Sequence, residues 1–452
     1  MINSRSPKAD LERVIALVFI LVTPLVVLAQ TRSEVIERLS SKDASKVIQQ
    51  LSDLQSHPSQ DPEVVRKVIQ LLDDERSIQT NGFFSESVQY SSFFVVSKLG
   101  QNDIPVIVTE IELLQTTRAK SYLLRAIQDS QKTSDLLYKA ILPFLKHEDE
   151  GIRGYAIGAI SKVASVEREL IKTLALKLQD PSDFVRASVI LALQSHPIAA
   201  GEIVDQVAQL LSGKENYYVS ISNHSAMSRR LAAEVAKLLG QIGTVAKPYM
   251  PELLQTMRTH ENKDVRVWAA VASIQLSSEP VPEALEIIGE LLWNDAKDDS
   301  CSDDAIEGMT VLGTSARSLL DRLRLYAKSS ELNVHFEGYR LAIAFYAISP
   351  DTAIEDVLPL VEKSDDSVCS SAIKALSMHN ARGERVIAAY IAVLEREDSL
   401  SDSREAAMIA LRKIGPDAFS AIQAVRKMLE SEGISEYDRK LIQETLDAIQ
   451  AK

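Results

Sequence analysis

The stretch "DPSDFVRASVILAL" (residues 180–193) decides how this chain is read. Its apolar residues read as the buried stripe of a helix. Arg186 stands inside that apolar run, where a guanidinium removed from water is costly unless it is paired. One isolated arginine there would look like a site. A recurring one looks like architecture.

It recurs. "EDEGIRGYAIGAI" (148–160) places Arg153 thirty-three residues earlier, seven positions before Ile160, just as Arg186 stands seven before Leu193. "NKDVRVWAAVASI" supplies Arg266, "SDSREAAMIAL" supplies Arg404, and "EYDRKLIQETL" supplies Arg439, thirty-five residues after Arg404. Between them "SRRLAAEVAKLLGQIG" offers Arg230, and "DDSVCSSAIKAL" puts Cys369 in the same slot, thirty-five before Arg404. Self-similarity at a period in the thirties marks a helical array. The intervening stretches, such as "VERELIKTLALKLQDPS" and "KPYMPELLQTMRTHEN", carry leucine-rich stripes at i, i+3, i+4 and i+7. Each repeat therefore reads as two helices with one buried face apiece.

On Asp183/Val185/Arg186, Asp264/Val265/Arg266 and Asp402/Arg404, with "LLGQIG" and "RKIGPDA", the chain resembles the HEAT-repeat family, in particular its bacterial HEAT-like repeats. The resemblance implies an all-α fold, a right-handed α-solenoid (superhelix) of stacked antiparallel helix pairs, over residues 81–452. It also implies a structural ladder of hydrogen bonds between adjacent repeats. The ladder positions are Arg153, Asp183, Arg186, Arg230, Asp264, Arg266, Asp402, Arg404 and Arg439. On this reading Arg186 is a strut, met by acids such as Asp183 and by turn carbonyls of neighbouring repeats. The pattern weakens over residues 300–350, where Glu337 or Arg340 could fill a slot. Residues 30–80 are helical and polar without the motif, and suit an N-terminal cap over the array's last apolar face.

Composition narrows the function classes. A net charge of −13 without a cluster of basic residues argues against nucleic-acid binding. At the start, "MINSRSPKADLERV" carries Arg5, Lys8 and Arg13, and the uncharged "IALVFILVTPLVVLA" follows. That order, ending in Val27-Leu28-Ala29, is that of an export signal over residues 1–29, with a single-pass membrane anchor as the alternative. Export would place the chain in the periplasm or cell envelope. The two cysteines, Cys301 and Cys369, lie about two repeats apart, beyond disulfide reach, and are expected unbridged.

The search for chemistry finds two His-Glu pairs, His147-Glu148 and His260-Glu261, each placed six residues before a ladder arginine. A di-iron enzyme of the HEAT-like class builds its centre from four such pairs, set within helices. Two pairs in turns read instead as helix ends with capping groups. Phycobilin lyases also share the fold class, but the cysteines here lie in unrelated contexts. No H-E-x-x-H, C-x-x-C, G-x-S-x-G, P-loop or dinucleotide motif occurs, so no catalytic, cofactor-binding or metal-ligating residue is assigned, and no cofactor is expected. The acidic "NDAKDDSCSDD" (294–304) lacks the spacing of a calcium loop and reads as a solvated turn.

Two irregular segments remain. "KENYYVSISNHSAM" (214–227) stretches the Arg186–Arg230 interval to 44 residues, and is expected to be a loop exposing Tyr217 and Tyr218 as a partner-binding element. "NGFFSESVQYSSFFVV" (81–96) gathers Phe83, Phe84, Tyr90, Phe93 and Phe94, either as core or as contact surface. The function expected from all this is a non-catalytic scaffold in the bacterial envelope that binds a protein or peptide along the solenoid groove. A HEAT-like enzyme, either a metal-dependent oxidoreductase or a lyase, is the alternative.

Overall fold

A computed structural model describes residues 31–80, 84–130, 133–213, 216–222, 225–293, 301–328, 337–363, 365–396, 401–430 and 435–451. The export-signal segment, most of the 294–304 turn and Phe83 lie outside the described residues. Among the described residues the fold is all-α, built of helix pairs, and the chain divides into two compact units, 1–170 and 171–452.

In the first unit the opening helices of each pair are Arg32–Leu39, Pro62–Gln70, Ile104–Glu110 and Asp135–Ile141, each against the next. Their partners, Ala44–Ser56, Val88–Ser97, Thr117–Ser130 and Glu150–Val163, form a second row. The pairing thus runs through residues 31–80, where the ladder motif is missing.

In the second unit the second-helix row is continuous. Asp183–Gln194, Leu231–Ile242, Lys263–Leu276, Cys301–Leu312, Glu337–Ile348, Asp366–Met378, Ser401–Ile414 and Glu436–Gln450 each pack on the next. This row is where the core sits: in Lys263–Leu276 nine side chains are buried, including Trp268 at 2% exposure. Small residues let the row close up. A Cβ placed on Gly338 would come within 2.8 Å of the Val368 Cα on the next helix, which only a glycine avoids.

Local chemistry sets the helix limits. Asn262 and Asp365 each accept from the backbone N–H three residues on (3.1 and 3.0 Å), capping their helices in the usual N-terminal manner. Gly243, Gly313 and Gly415 carry φ of 75°, 56° and 72° just after three second-row helices, a left-handed turn that glycine adopts without strain.

Two antiparallel hairpins interrupt the helical pattern. Strand β1 (Ser77–Thr80) pairs with β2 (Phe84–Ser87), and β3 (Asn216–Ser222) pairs with β4 (Ser225–Arg230). The 214–227 segment is therefore largely a hairpin where the sequence reading expects a loop. Its alternation of aromatic and β-branched residues with serine in "NYYVSIS" is strand chemistry. In the first hairpin region, Tyr90, Phe93 and Phe94 form an edge-to-face and stacked cluster, with Phe93 reaching Tyr122 at 5.5 Å on the following second-row helix. Phe93 is buried, while Phe94 stays 39% exposed.

Candidate functional site

The ladder arginines come first, because they decide which polar groups are structural. Arg153 donates to the carbonyls of His147 and Glu148, both at 2.9 Å. Arg186 donates to those of Asp180 (2.8 Å) and Pro181 (3.3 Å), and its other guanidinium nitrogen meets the Asp183 carboxylate. Arg266 reaches the Met257 carbonyl at 2.9 Å and Arg404 that of Arg396 at 2.6 Å. In every case these bonds close the turn between the two helices of the arginine's own repeat, tying down carbonyls that a helix end leaves unpaired. Arg230 ends β4, Asp402 lies exposed in the first turn of its helix, and Arg439 is exposed in the last repeat.

The Cys369 slot is served from elsewhere. Cys369 is fully buried, and its thiol donates to the Val361 carbonyl at 3.2 Å, with burial pushing its pKa up. Arg396, from the following repeat, donates to the carbonyls of Val361, Glu362 and Lys363 at 3.4, 3.3 and 3.2 Å. Its guanidinium also stands 3.7 Å from the Cys369 sulfur. The side chain of Cys301 lies outside the described residues.

Contacts between repeats include groups the sequence reading did not single out. On the first-helix row, Arg258 grips Glu283 through two bonds (2.8 and 2.6 Å), and Arg324 grips Asp356 likewise (2.7 and 3.0 Å). Arg322–Glu286 and Arg385–Glu355 continue the series. On the second-helix row, Arg340, one of the two candidates for the slot over residues 300–350, meets Asp303 at 2.9 Å. A partly buried cluster joins three successive second-row helices. Lys237 lies 3.9 Å above the Trp268 ring and 3.5 Å from both Glu234 and Glu307, while Trp268 Nε1 donates to Asp304. Burial, then the nearby Asp264, pushes the Asp304 carboxyl up to about 6 against the pull of Lys237. The signal for these pairs was opposite charges at near-repeat separation, and a search keyed to one motif passes over them.

The two His-Glu turns use their imidazoles locally. His147 Nδ1 accepts from the Asp149 N–H (3.0 Å) and His260 Nδ1 from the Asn262 N–H (3.1 Å). Among the described residues no group of three or more His, Cys, Asp and Glu side chains is placed to hold a metal ion, and no single helix is long and apolar enough to cross a membrane.

What stands apart is the turn after Val204–Ala208. Three residues (260–262) join the two helices of the next repeat, whereas twenty-two (209–230) intervene here and carry the β3–β4 hairpin. The side chains of Tyr217 and Tyr218 lie outside the described residues, but their backbone is paired: Tyr217 opposite Arg229 and Tyr218 opposite Ser228. The residues that lead into the hairpin line a groove of about 420 Å³, within the size range of ligand pockets. Leu211 and Ser212 form one wall, and Glu252, Gln255, His260 and Glu261 of the next repeat form the other. Ser212 lies four residues before β3.

No family model matches the chain, and no curated protein matches it in sequence. Among solved structures it is similar to importin beta, at 12% identity over 92% of this chain and 62% of that one, with a TM-score of 0.45. It is similar also to the Kap95:Nup1 complex, at 12% identity over 92% of this chain and 61% of that one, with a TM-score of 0.47. Kap121p bound to the extreme C-terminus of Cdc14p gives 13% identity over 94% of this chain and 49% of that one, with a TM-score of 0.38. The chain thus spans about three fifths of the first two and half of the third.

Proposed function

We propose that this chain is a non-catalytic scaffold that holds a protein or peptide partner, and that it works on the exported side of the bacterial envelope. The observation that supports the binding role most directly is the hairpin inserted at residues 216–230, in a turn whose counterpart in the next repeat is three residues long. A repeat closes its core with a short turn, so these extra residues are not needed for folding, and insertions of this kind in repeat arrays fall on one face and meet ligands. Adjacent tyrosines are suited to anchor a partner, because they bring large contact area at little loss of rotamer freedom. Support for export is the basic, then apolar, then small-residue order of residues 1–29.

A photo-crosslinking residue at position 217 tests the binding role. It should capture one discrete polypeptide in envelope preparations, whereas the same residue at Leu325, on the first-helix row, should not. Tyr217→Ala with Tyr218→Ala should weaken binding of that polypeptide by about 2 kcal/mol and leave folding stability within about 0.5 kcal/mol. A double variant that unfolds more easily while binding normally would make the tyrosines core residues and remove the hairpin from the proposal. Intact-mass measurement tests export: mature protein should begin near Gln30, and soluble cytoplasmic protein retaining Met1 would defeat it. Stoichiometric iron in purified protein, lost on replacing His147 and His260, would favour an enzyme instead.

A further inference from the structure

We propose that the face shared by helices Val88–Ser97 and Thr117–Ser130 of the first unit docks an acidic segment of a partner polypeptide, with two carboxylates flanking an aromatic side chain. This rests on the scaffold reading and gives it a contact surface far in sequence from the hairpin. Arg118, Tyr122 and Arg125 stand at i, i+4 and i+7 on one stripe of their helix, while Ala119, Leu123, Leu124 and Ile127 face the core. Arg118 lies 5.9 Å over the Tyr122 ring and Arg125 lies 5.4 Å over the Phe93 ring. From Phe93 the aromatic surface continues to Phe94 at 5.4 Å, and from Phe94 to Tyr90 at 4.7 Å. Phe93 belongs to the core, whereas Phe94, Tyr90 and Tyr122 keep contact with solvent.

The two guanidinium groups point to the ligand. In the same unit Arg32, Arg66 and Arg76 are each held by a carboxylate. Arg118 and Arg125 contact rings instead, and among the described residues neither meets a carboxylate or a carbonyl. Asp73, at the start of the same helix, is engaged by the N–H groups of Gln115 and Thr116 and by the Thr116 hydroxyl, at 2.9, 2.8 and 2.8 Å. Asp129, one turn beyond Arg125, is exposed and bonds neither arginine. A guanidinium lying on a ring keeps its N–H edge open, and that edge matches a carboxylate through two parallel bonds. Stacking also orders the side chain before a ligand arrives, so less rotamer freedom is lost on binding. Seven residues of helix separate the two arginines by about 10.5 Å along the axis. Three residues of extended peptide span about 10 Å, so acids three apart meet both arginines and leave a ring between them to pack against Phe94 and Tyr90. Charge favours this unit over the other for an acidic ligand. Residues 31–170 carry 17 Lys and Arg against 20 Asp and Glu, whereas residues 171–452 carry 30 against 41. A nucleic-acid strand needs a longer basic track than two arginines.

The test uses the full chain and fluorescence anisotropy. The probe is a fluorescein-labelled Gly/Ser peptide carrying Glu-Phe-Ser-Glu. Its counterparts have glutamine or lysine in place of both glutamates, or serine in place of the phenylalanine. The glutamate peptide should bind, the glutamine and lysine peptides should not, and the serine counterpart should bind several-fold more weakly. Arg118→Gln with Arg125→Gln should weaken binding by about tenfold, as the loss of two exposed charge pairs does, with an unchanged circular dichroism spectrum. Added salt should shrink that difference. Arg118→Lys with Arg125→Lys keeps the charge, removes the fork, and should recover only part of the affinity. Lys139→Gln with Arg168→Gln, the same charge change at two exposed positions on other helices, should have no effect. Phe94→Ser should weaken binding of the phenylalanine peptide and leave its serine counterpart unchanged. No binding of the glutamate peptide, equal affinity for the glutamine peptide, an equal loss with the control pair, or tighter binding of a labelled single-stranded DNA ten-mer would overturn the inference. If the crosslink at position 217 captures its partner while the glutamate peptide fails to bind, the acidic-segment inference falls and the scaffold reading stands. If the peptide binds as described while that crosslink captures nothing, the hairpin loses its role and this face carries the scaffold reading.

Discussion

Asp304→Asn isolates a strongly shifted carboxyl at a repeat junction. Asp304 accepts from Trp268 Nε1 on the preceding second-row helix, and burial followed by the charge of Asp264 raises its pKa from 3.8 to about 6. A carboxyl whose folded pKa lies above its unfolded value binds its proton more tightly in the folded chain. Its contribution to stability is therefore complete below about pH 3.8 and is lost as pH rises through about 6. At about 1.36 kcal/mol per pKa unit, the whole rise corresponds to about 3 kcal/mol. Asp304 retains some contact with solvent, so screening reduces the observable part to about 1–2 kcal/mol. Asparagine keeps an acceptor for the indole and removes the charge that faces Asp264 and Glu307. Urea unfolding should be followed by tryptophan emission at pH 4, 5, 6 and 7, in a Trp293→Phe background so that Trp268 reports alone. The stability of the variant relative to its parent should climb by about 1–2 kcal/mol between pH 4 and pH 7, with most of the change between about pH 4 and 6. A difference independent of pH would mean that the carboxyl is not shifted. A difference falling with pH would mean that attraction to Lys237, not burial, governs the group.

Two further predictions concern the turns. Arg396→Ala removes the guanidinium from the carbonyls of Val361, Glu362 and Lys363, and should destabilise the second unit by about 1–3 kcal/mol; denaturation within 0.5 kcal/mol of the parent would refute the assignment. Arg186→Ala strands the Asp180 and Pro181 carbonyls and the Asp183 carboxylate, and should cost about 2–4 kcal/mol without selectively abolishing partner capture; an unchanged melting temperature would count against it.

The helical array was legible because its signal is redundant. A turn closed by an arginine, a helix of small residues and a leucine stripe reappear every few dozen positions, so one damaged copy does not hide the pattern. The capped starts at Asn262 and Asp365 follow from local rules of the same kind. Less legible was everything that depends on which residues meet across a junction. Nothing in "DDSVCSSAIKAL" tells that an arginine 27 residues after Cys369 bonds the carbonyls of that repeat's turn, because a guanidinium on a long flexible stem can come from several positions. The hairpin was half legible: its extra length was plain, but its strand pairing was hidden in a chain read for helices. The groove beside it was invisible, since its walls come from two repeats and only folding brings Leu211 opposite Glu252 and His260.

The traffic between Arg404, Arg396 and the Val361–Lys363 turn bears on how this chain can change over evolution. Arg404 holds the backbone carbonyl of Arg396, and the Arg396 side chain reaches back to the carbonyls beside Cys369. At Arg153, Arg186, Arg266 and Arg404 the arginine bonds its own turn, so those repeats can be copied, deleted or transplanted with that connection complete. Here the connection is on loan from the neighbour. A duplication or a truncation that separates residues 353–378 from residue 396 leaves one copy with open carbonyls and a cysteine that cannot reach them all. The two repeats are thus bound to be inherited as a couple, and a recombination breakpoint between them should be tolerated only where Cys369 has first become arginine.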